Sequence, residues 1–86
     1  LLTIVNIFTI SGRGTAVSIE GYTGLPIRKT LTARVHRPDG SVLEARASKE
    51  YALRRDGERT WEDECFLLYD VDKTDVPEGS TLDVTE

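Results

Sequence analysis

Apolar and polar residues alternate with a period of two along most of this chain. Phe8 and Ile10 fall on one face while Thr9 and Ser11 fall on the other, which is the pattern of a half-buried strand. Leu2 and Ile4 continue the face of Phe8 and Ile10, whereas Val5 and Ile7 fall opposite, so the first segment is apolar on both sides. A strand wetted on one side has no use for Val5 and Ile7, and a loop of the domain itself or a partner is expected to cover them. Gly12 and Gly14 then supply a tight reversal, because glycine accepts positive φ at little steric cost. A second alternating strand runs from Thr15 to about Glu20, and Gly21–Pro26 is a loop by composition.

Leu31, Ala33 and Val35 alternate with Thr32, Arg34 and His36 in a third strand. Arg37-Pro38-Asp39-Gly40-Ser41 is the clearest turn, with Pro38 presetting the first corner and Gly40 giving a left-handed residue before the return strand. That strand begins at Val42 and turns Leu43, Ala45 and Ala47 away from Glu44, Arg46 and Ser48. Residues 49–55 fit either a strand or a helical turn, and 56–60 form a second loop. Cys65-Phe66-Leu67-Leu68-Tyr69 is the most apolar run and the candidate central strand. Asp70–Glu78 is a polar connection, and Thr81–Val84 is the last strand. About six strands and no long helix predict an all-β domain spanning residues 1–86, most economically a closed antiparallel β-barrel. Phe8, Ile10, Val17, Leu31, Ala33, Val35, Phe66, Leu68 and Leu82 are expected to share its core.

Eighty-six residues bury only roughly 60% of their unfolded surface, which leaves a thin core and favours a closed sheet without edges. A single cysteine offers no internal disulfide and points either to a reducing compartment or to no need of a disulfide, and a cytoplasmic setting is the expectation. No run of eighteen apolar residues predicts a membrane span, and no basic-then-apolar leader is present. The sequence has no methionine, so either an initiator is missing from it or it is a piece of a longer chain. The net charge of −4 is unevenly laid out. Residues 1–27 hold one Arg and one Glu, 28–59 hold nine basic against five acidic residues, and 60–86 hold one Lys against nine acids. Such blocks either pair across neighbouring strands or mark a basic face in the middle segment.

Few residues carry obvious chemistry. His36 lies on a polar face without neighbours spaced as metal ligands. Cys65 lacks an adjacent base or cation that would favour a thiolate, and reads as packing. Trp61 among carboxylates is either a cap on one end of the barrel or a recognition aromatic. The phosphate-cradling Gly-x-x-x-x-Gly-Lys-Ser/Thr sequence is absent, so no nucleotide is expected, and Gly12-Arg13-Gly14-Thr15 is explained as a hairpin turn. No Ser/His/Asp or Cys/His set stands in credible strand positions, so neither catalysis nor a cofactor is expected.

Phe8-Thr9-Ile10-Ser11-Gly12-Arg13-Gly14-Thr15 resembles the opening of the second domain of elongation factor Tu and related translation GTPases. That domain begins with an aromatic, a short strand and a glycine-arginine-glycine-threonine turn. The stretch from Leu67 to Leu82, a leucine-rich strand followed by a charged linker, a glycine and a final strand, is similar to that family's closing segment. The resemblance spans essentially the whole chain and implies a six-stranded antiparallel barrel. In the full-length factors this domain packs on the GTPase domain and helps hold the acceptor end of aminoacyl-tRNA. The family's carboxylate pair before the aromatic is replaced here by Val5 and Asn6, and the loop after the turn differs.

The leading expectation is therefore a non-catalytic module that binds a protein, with Val5, Ile7, Arg13, Thr15 and Trp61 as candidate contacts. The alternative is an RNA-binding module using the basic middle, chiefly Arg34 and Arg46, aided by Arg37, Lys49, Arg54 and Arg55, with Tyr51 as a stacking residue. RNA binding of that kind is expected to be weak, because Glu44 interrupts the stripe and the last third is acidic.

Overall fold

The computed structural model describes the backbone of residues 1–56 and 59–86, and side chains of residues 1–50 and 64–86. Six strands are present: β1 (Leu2–Ile10), β2 (Gly14–Ile19), β3 (Leu31–His36), β4 (Val42–Asp56), β5 (Arg59–Tyr69) and β6 (Thr81–Thr85). They close into a barrel in the order β1-β2-β5-β4-β3-β6, and every neighbouring pair is antiparallel. A short 3₁₀ turn over Lys73–Asp75 sits in the β5–β6 connection.

The core follows the alternation of β2, β3, β5 and β6. Val17, Leu31, Ala33, Val35, Phe66, Leu68 and Leu82 form one cluster, joined by Ile19, Ala47, Val71 and Val76. Phe66 and the leucines are withdrawn from solvent completely or nearly so, and burying each such side chain contributes about 1.5–3 kcal/mol. From Glu64 to Leu68 strand β5 is buried on both faces, since Cys65 and Leu67, which point away from Phe66 and Leu68, are also covered.

Strand β1 departs from simple alternation. Its register against β2 shifts between Ile4, opposite Ile19, and Asn6, opposite Ser18, leaving Val5 as an extra residue. A one-residue bulge moves every later side chain to the other face. Leu2 and Ile4 pack on the core before the bulge, and Ile7 packs on it afterwards. The expectation that Phe8 and Ile10 share the core and that Ile7 opposes it is thereby corrected. Ile7 stands opposite Val17 on the core side, while Phe8 and Ile10 are half-buried outside the core cluster.

The β4–β5 hairpin is longer than the sequence pattern indicates. Its ladder runs from Ala47–Leu68 to Asp56–Arg59, so residues 49–55 are strand and the expected loop at 56–60 is largely paired backbone. Both strands are rich in charge there and carry no sustained alternation, and antiparallel pairing of the backbone holds the stretch. The Pro38 turn forms as expected: Gly40, at φ 91°, donates its N–H to the Arg37 carbonyl at 3.0 Å. The Asp39 carboxylate accepts the Ser41 N–H at 2.9 Å and its hydroxyl at 2.6 Å.

Gly14 is required by space as well as by backbone angle. It lies at φ 146°, and a Cβ built there would stand 2.1 Å from the Leu68 carbonyl oxygen, a backbone atom of the neighbouring strand. Gly12, at φ 77°, has open space around it. Gly14→Ala is expected to destabilise the domain by about 3–5 kcal/mol, through positive-φ strain and collision with backbone. Gly12→Ala is expected to cost only about 1–2 kcal/mol. Chemical denaturation of the two variants checks the difference.

Candidate functional site

Among the described residues, three regions carry the remaining chemistry. The first is an internal plug at one end of the barrel. Glu64 and Lys49 point inward, two residues before Phe66 and two after Ala47, and meet at 2.9 Å with almost no solvent exposure. The β2–β3 loop closes over them. Thr23 donates its backbone N–H to Glu64 Oε2 at 2.9 Å and its hydroxyl to Oε1, and Lys49 Nζ donates to the Leu25 carbonyl at 2.6 Å. Burial alone would push the Glu64 carboxyl up, but hydrogen bonds from the Thr23 hydroxyl, Lys49 and the Thr23 amide together hold it below its ordinary 4.5. This network is saturated and enclosed, and its work is to anchor the loop.

The second surface is the outer face of β3, β4 and β5. Arg34 is gripped between Glu44 at 3.2 Å and Asp83 at 3.8 Å, from the strands on either side of β3. Arg37 reaches the Asp75 carboxylate at 3.7 Å and its carbonyl at 2.8 Å. Arg13 pairs with Glu50 at 3.3 Å, a bridge between the β1–β2 turn and β4 across β5. Arg46 has a different setting, lining a hollow with Thr30 and Tyr69. Beside it lies a cleft of about 500 Å³ between residues 27–30 and the outward face of β4, where Arg28 and Lys29 stand above Ser48 and Glu50. Tyr69 donates its hydroxyl to Ser48 at 2.9 Å.

The third surface is the seam beside β1. Strand β1 pairs with β6 only through Leu2–Leu82 and Thr3–Thr81, so beyond Thr3 its second edge has no ladder partner among the described residues. The Ile10 carbonyl accepts from Arg13 on the β2 side. Alternation therefore turns the peptide groups of Phe8 toward β2, and those of Ile7 and Thr9 toward the open side. The Ile7 N–H is met there by the Asn6 side chain at 3.0 Å. Val5 is 47% exposed at the bulge.

The sequence-derived candidates are thus scattered. Val5 stands at the seam, and Ile7 is partly buried on the core. Thr15 is fully buried, its hydroxyl donating to the Val71 carbonyl at 2.7 Å. Arg13, Arg34 and Arg46 lie on the outer face, with Arg13 and Arg34 already held by carboxylates. Lys49, expected on a basic surface, is instead internal. The side chains of Tyr51, Arg54, Arg55 and Trp61 lie outside the described residues. The plug was missed because its two charges look like solvated strand residues, although their spacing from Phe66 and Ala47 puts both on the inward face. Among the described residues no cluster of three or more His, Cys, Asp or Glu is arranged to hold a metal, and no helix is long and apolar enough to cross a membrane. The chain matches no protein-family model, and the comparisons with curated proteins and with solved structures return no match.

Because its folded-state pKa is depressed, Glu64 contributes stability above pH 4.5 that is lost as the pH falls through the lower folded value. Glu64→Gln removes the carboxylate beside an internal ammonium and is expected to cost about 3–5 kcal/mol at neutral pH. It is also expected to flatten the acid limb of the stability profile, as urea denaturation followed from neutral pH down through and below 4.5 would show.

Proposed function

We propose that this domain is a non-catalytic binding module whose partner is a protein, engaged on the β1 side of the barrel. The observation that carries this reading is the incomplete pairing of β1, which leaves a strand edge beside the exposed side chain of Val5. Sheet edges are ordinarily covered, paired or charged, and an uncovered one is a template for another chain. The barrel's strand count and antiparallel pairing are also what kinship with the second domain of elongation factor Tu-like GTPases implies. Within that proposal, the module has kept the barrel and replaced the carboxylates that family places near the aminoacyl group by Val5 and Asn6.

A second reading, weak RNA binding, rests on the cleft that Arg28, Lys29 and Tyr69 border and on the adjoining hollow that Arg46 lines. Its electrostatics are modest. Lys29 pairs with Glu86 at 3.5 Å, and Arg13, Arg34 and Arg37 each have a carboxylate within 4 Å. Each such pair cancels charge that would otherwise release counterions from phosphate. The expected affinity for RNA at physiological salt is no tighter than about 10⁻⁴–10⁻⁶ M, with no preference for aminoacylated tRNA.

Photo-crosslinking in the native cell separates the readings. A photoreactive residue at Val5 is expected to give a discrete protein adduct, and one at Arg46 none to RNA above background. An RNA adduct at Arg46 together with silence at Val5 would reverse the order, as would submicromolar RNA affinity that is lost in Arg34→Ala, Arg46→Ala.

A further inference from the structure

The seam beside β1 has a chemistry that narrows the partner, and the step taken here rests on the protein-binding reading above. From Ile4 to Ile10 the strand offers about 20 Å of edge, at about 3.3 Å per residue. Two hollows follow that edge. One, of about 260 Å³, lies between residues 4–7 and 78–80. The other, of about 410 Å³, lies between Thr9–Gly14 and Asp70–Asp72. Both have the β5–β6 connection as their far wall. That connection is anchored from below, because Val71 and Val76 insert into the core and Thr15 holds the Val71 carbonyl.

Its exposed side is acidic. Residues 70–80 hold Asp70, Asp72, Asp75 and Glu78 against Lys73. Asp75 is occupied by Arg37, whereas Asp70, Asp72 and Glu78 are exposed, and no salt bridge engages them among the described residues. The seam therefore combines outward-turned peptide groups at Ile7 and Thr9, an exposed apolar side chain at Val5, and carboxylates along the opposite wall.

From this juxtaposition we infer that the seam takes an extended, lysine- or arginine-rich segment of another protein, added as a strand along the edge of β1. Main-chain hydrogen bonds to Ile7 and Thr9 supply the attachment, replacing the local bond that the Ile7 N–H donates to the Asn6 side chain, and basic side chains of the added strand meet Asp70, Asp72 and Glu78. A second copy of this chain fits poorly, because it would bring the same acidic wall against itself at a net charge of −4. A nucleic acid is excluded from the seam by the same carboxylates.

The test uses an eight-residue peptide alternating valine and lysine, labelled for fluorescence anisotropy. Its comparator has the same side chains with every interior backbone amide N-methylated, which removes the donors from both hydrogen-bonding edges and leaves the charge intact. A third peptide alternates valine and glutamate. The basic peptide is expected to bind at least tenfold more tightly than the other two. Its binding is expected to shift the amide resonances of Ile7 and Thr9, and to weaken at least fivefold in Glu78→Lys, an exposed substitution that leaves the core untouched. Equal binding of the methylated peptide, no binding of any peptide, indifference to Glu78→Lys, or a self-associated dimer that the peptide leaves intact would each overturn strand addition. None of these would touch the protein-binding reading, which the crosslink at Val5 tests by itself.

Discussion

Closure of the sheet between β1 and β6 is the constraint on which the rest of this barrel depends. Only Leu2–Leu82 and Thr3–Thr81 join the two strands. The gap beyond them is bridged by side chains, because Val71 and Val76 of the connecting segment enter the core where a longer β6 would have paired. The bulge at Val5 belongs to the same solution. It redirects β1 so that Leu2, Ile4 and Ile7 all reach the interior despite the odd spacing between Ile4 and Ile7. Hydrophobic burial thereby does at this seam what hydrogen bonding does at the other five, and the polar edge of β1 is left exposed as a consequence.

At the opposite flank of β2 the chains approach as closely as sterics allow. Gly14 admits the Leu68 carbonyl into the volume a side chain would occupy, and the Asp70 N–H donates to the Arg13 carbonyl at 3.2 Å just beyond it. The internal Lys49–Glu64 pair then ties the β2–β3 loop across one barrel end. A buried pair of this kind is a weak source of net stability, since the desolvation of both charges offsets their attraction. Its value here is positional: it gives a loop with three left-handed residues, Gly21, Gly24 and Arg28, one conformation.

Much of this was legible in the sequence, for reasons tied to particular residues. Strands with one wet face announce themselves, so Leu31–His36, Val42–Ser48 and the Pro38-Asp39-Gly40 turn were readable directly. The bulge is not, because an extra residue inverts the meaning of alternation without marking itself, so unbroken alternation sets Ile7 on the wrong face. Val71 and Val76 were hidden by their polar neighbours and by a five-residue spacing that suits neither strand nor helix. The candidate site was the least legible part. Val5 stands out in the sequence as apolar without an evident cover, but the open edge beside it follows from how few residues β6 contributes to pairing with β1, a long-range property that no local pattern encodes.

The central claim is that β1 keeps one unpaired edge in the folded barrel, and native-state amide hydrogen exchange measures it directly. Phe8 and Ile10, whose peptide groups face β2, should exchange slowly, while Thr9 between them should exchange with little protection, in an alternation confined to the stretch after the bulge. Uniform strong protection from Ile7 through Ile10 would contradict the account, because it would mean that the edge is already paired within this domain or with a second copy of it.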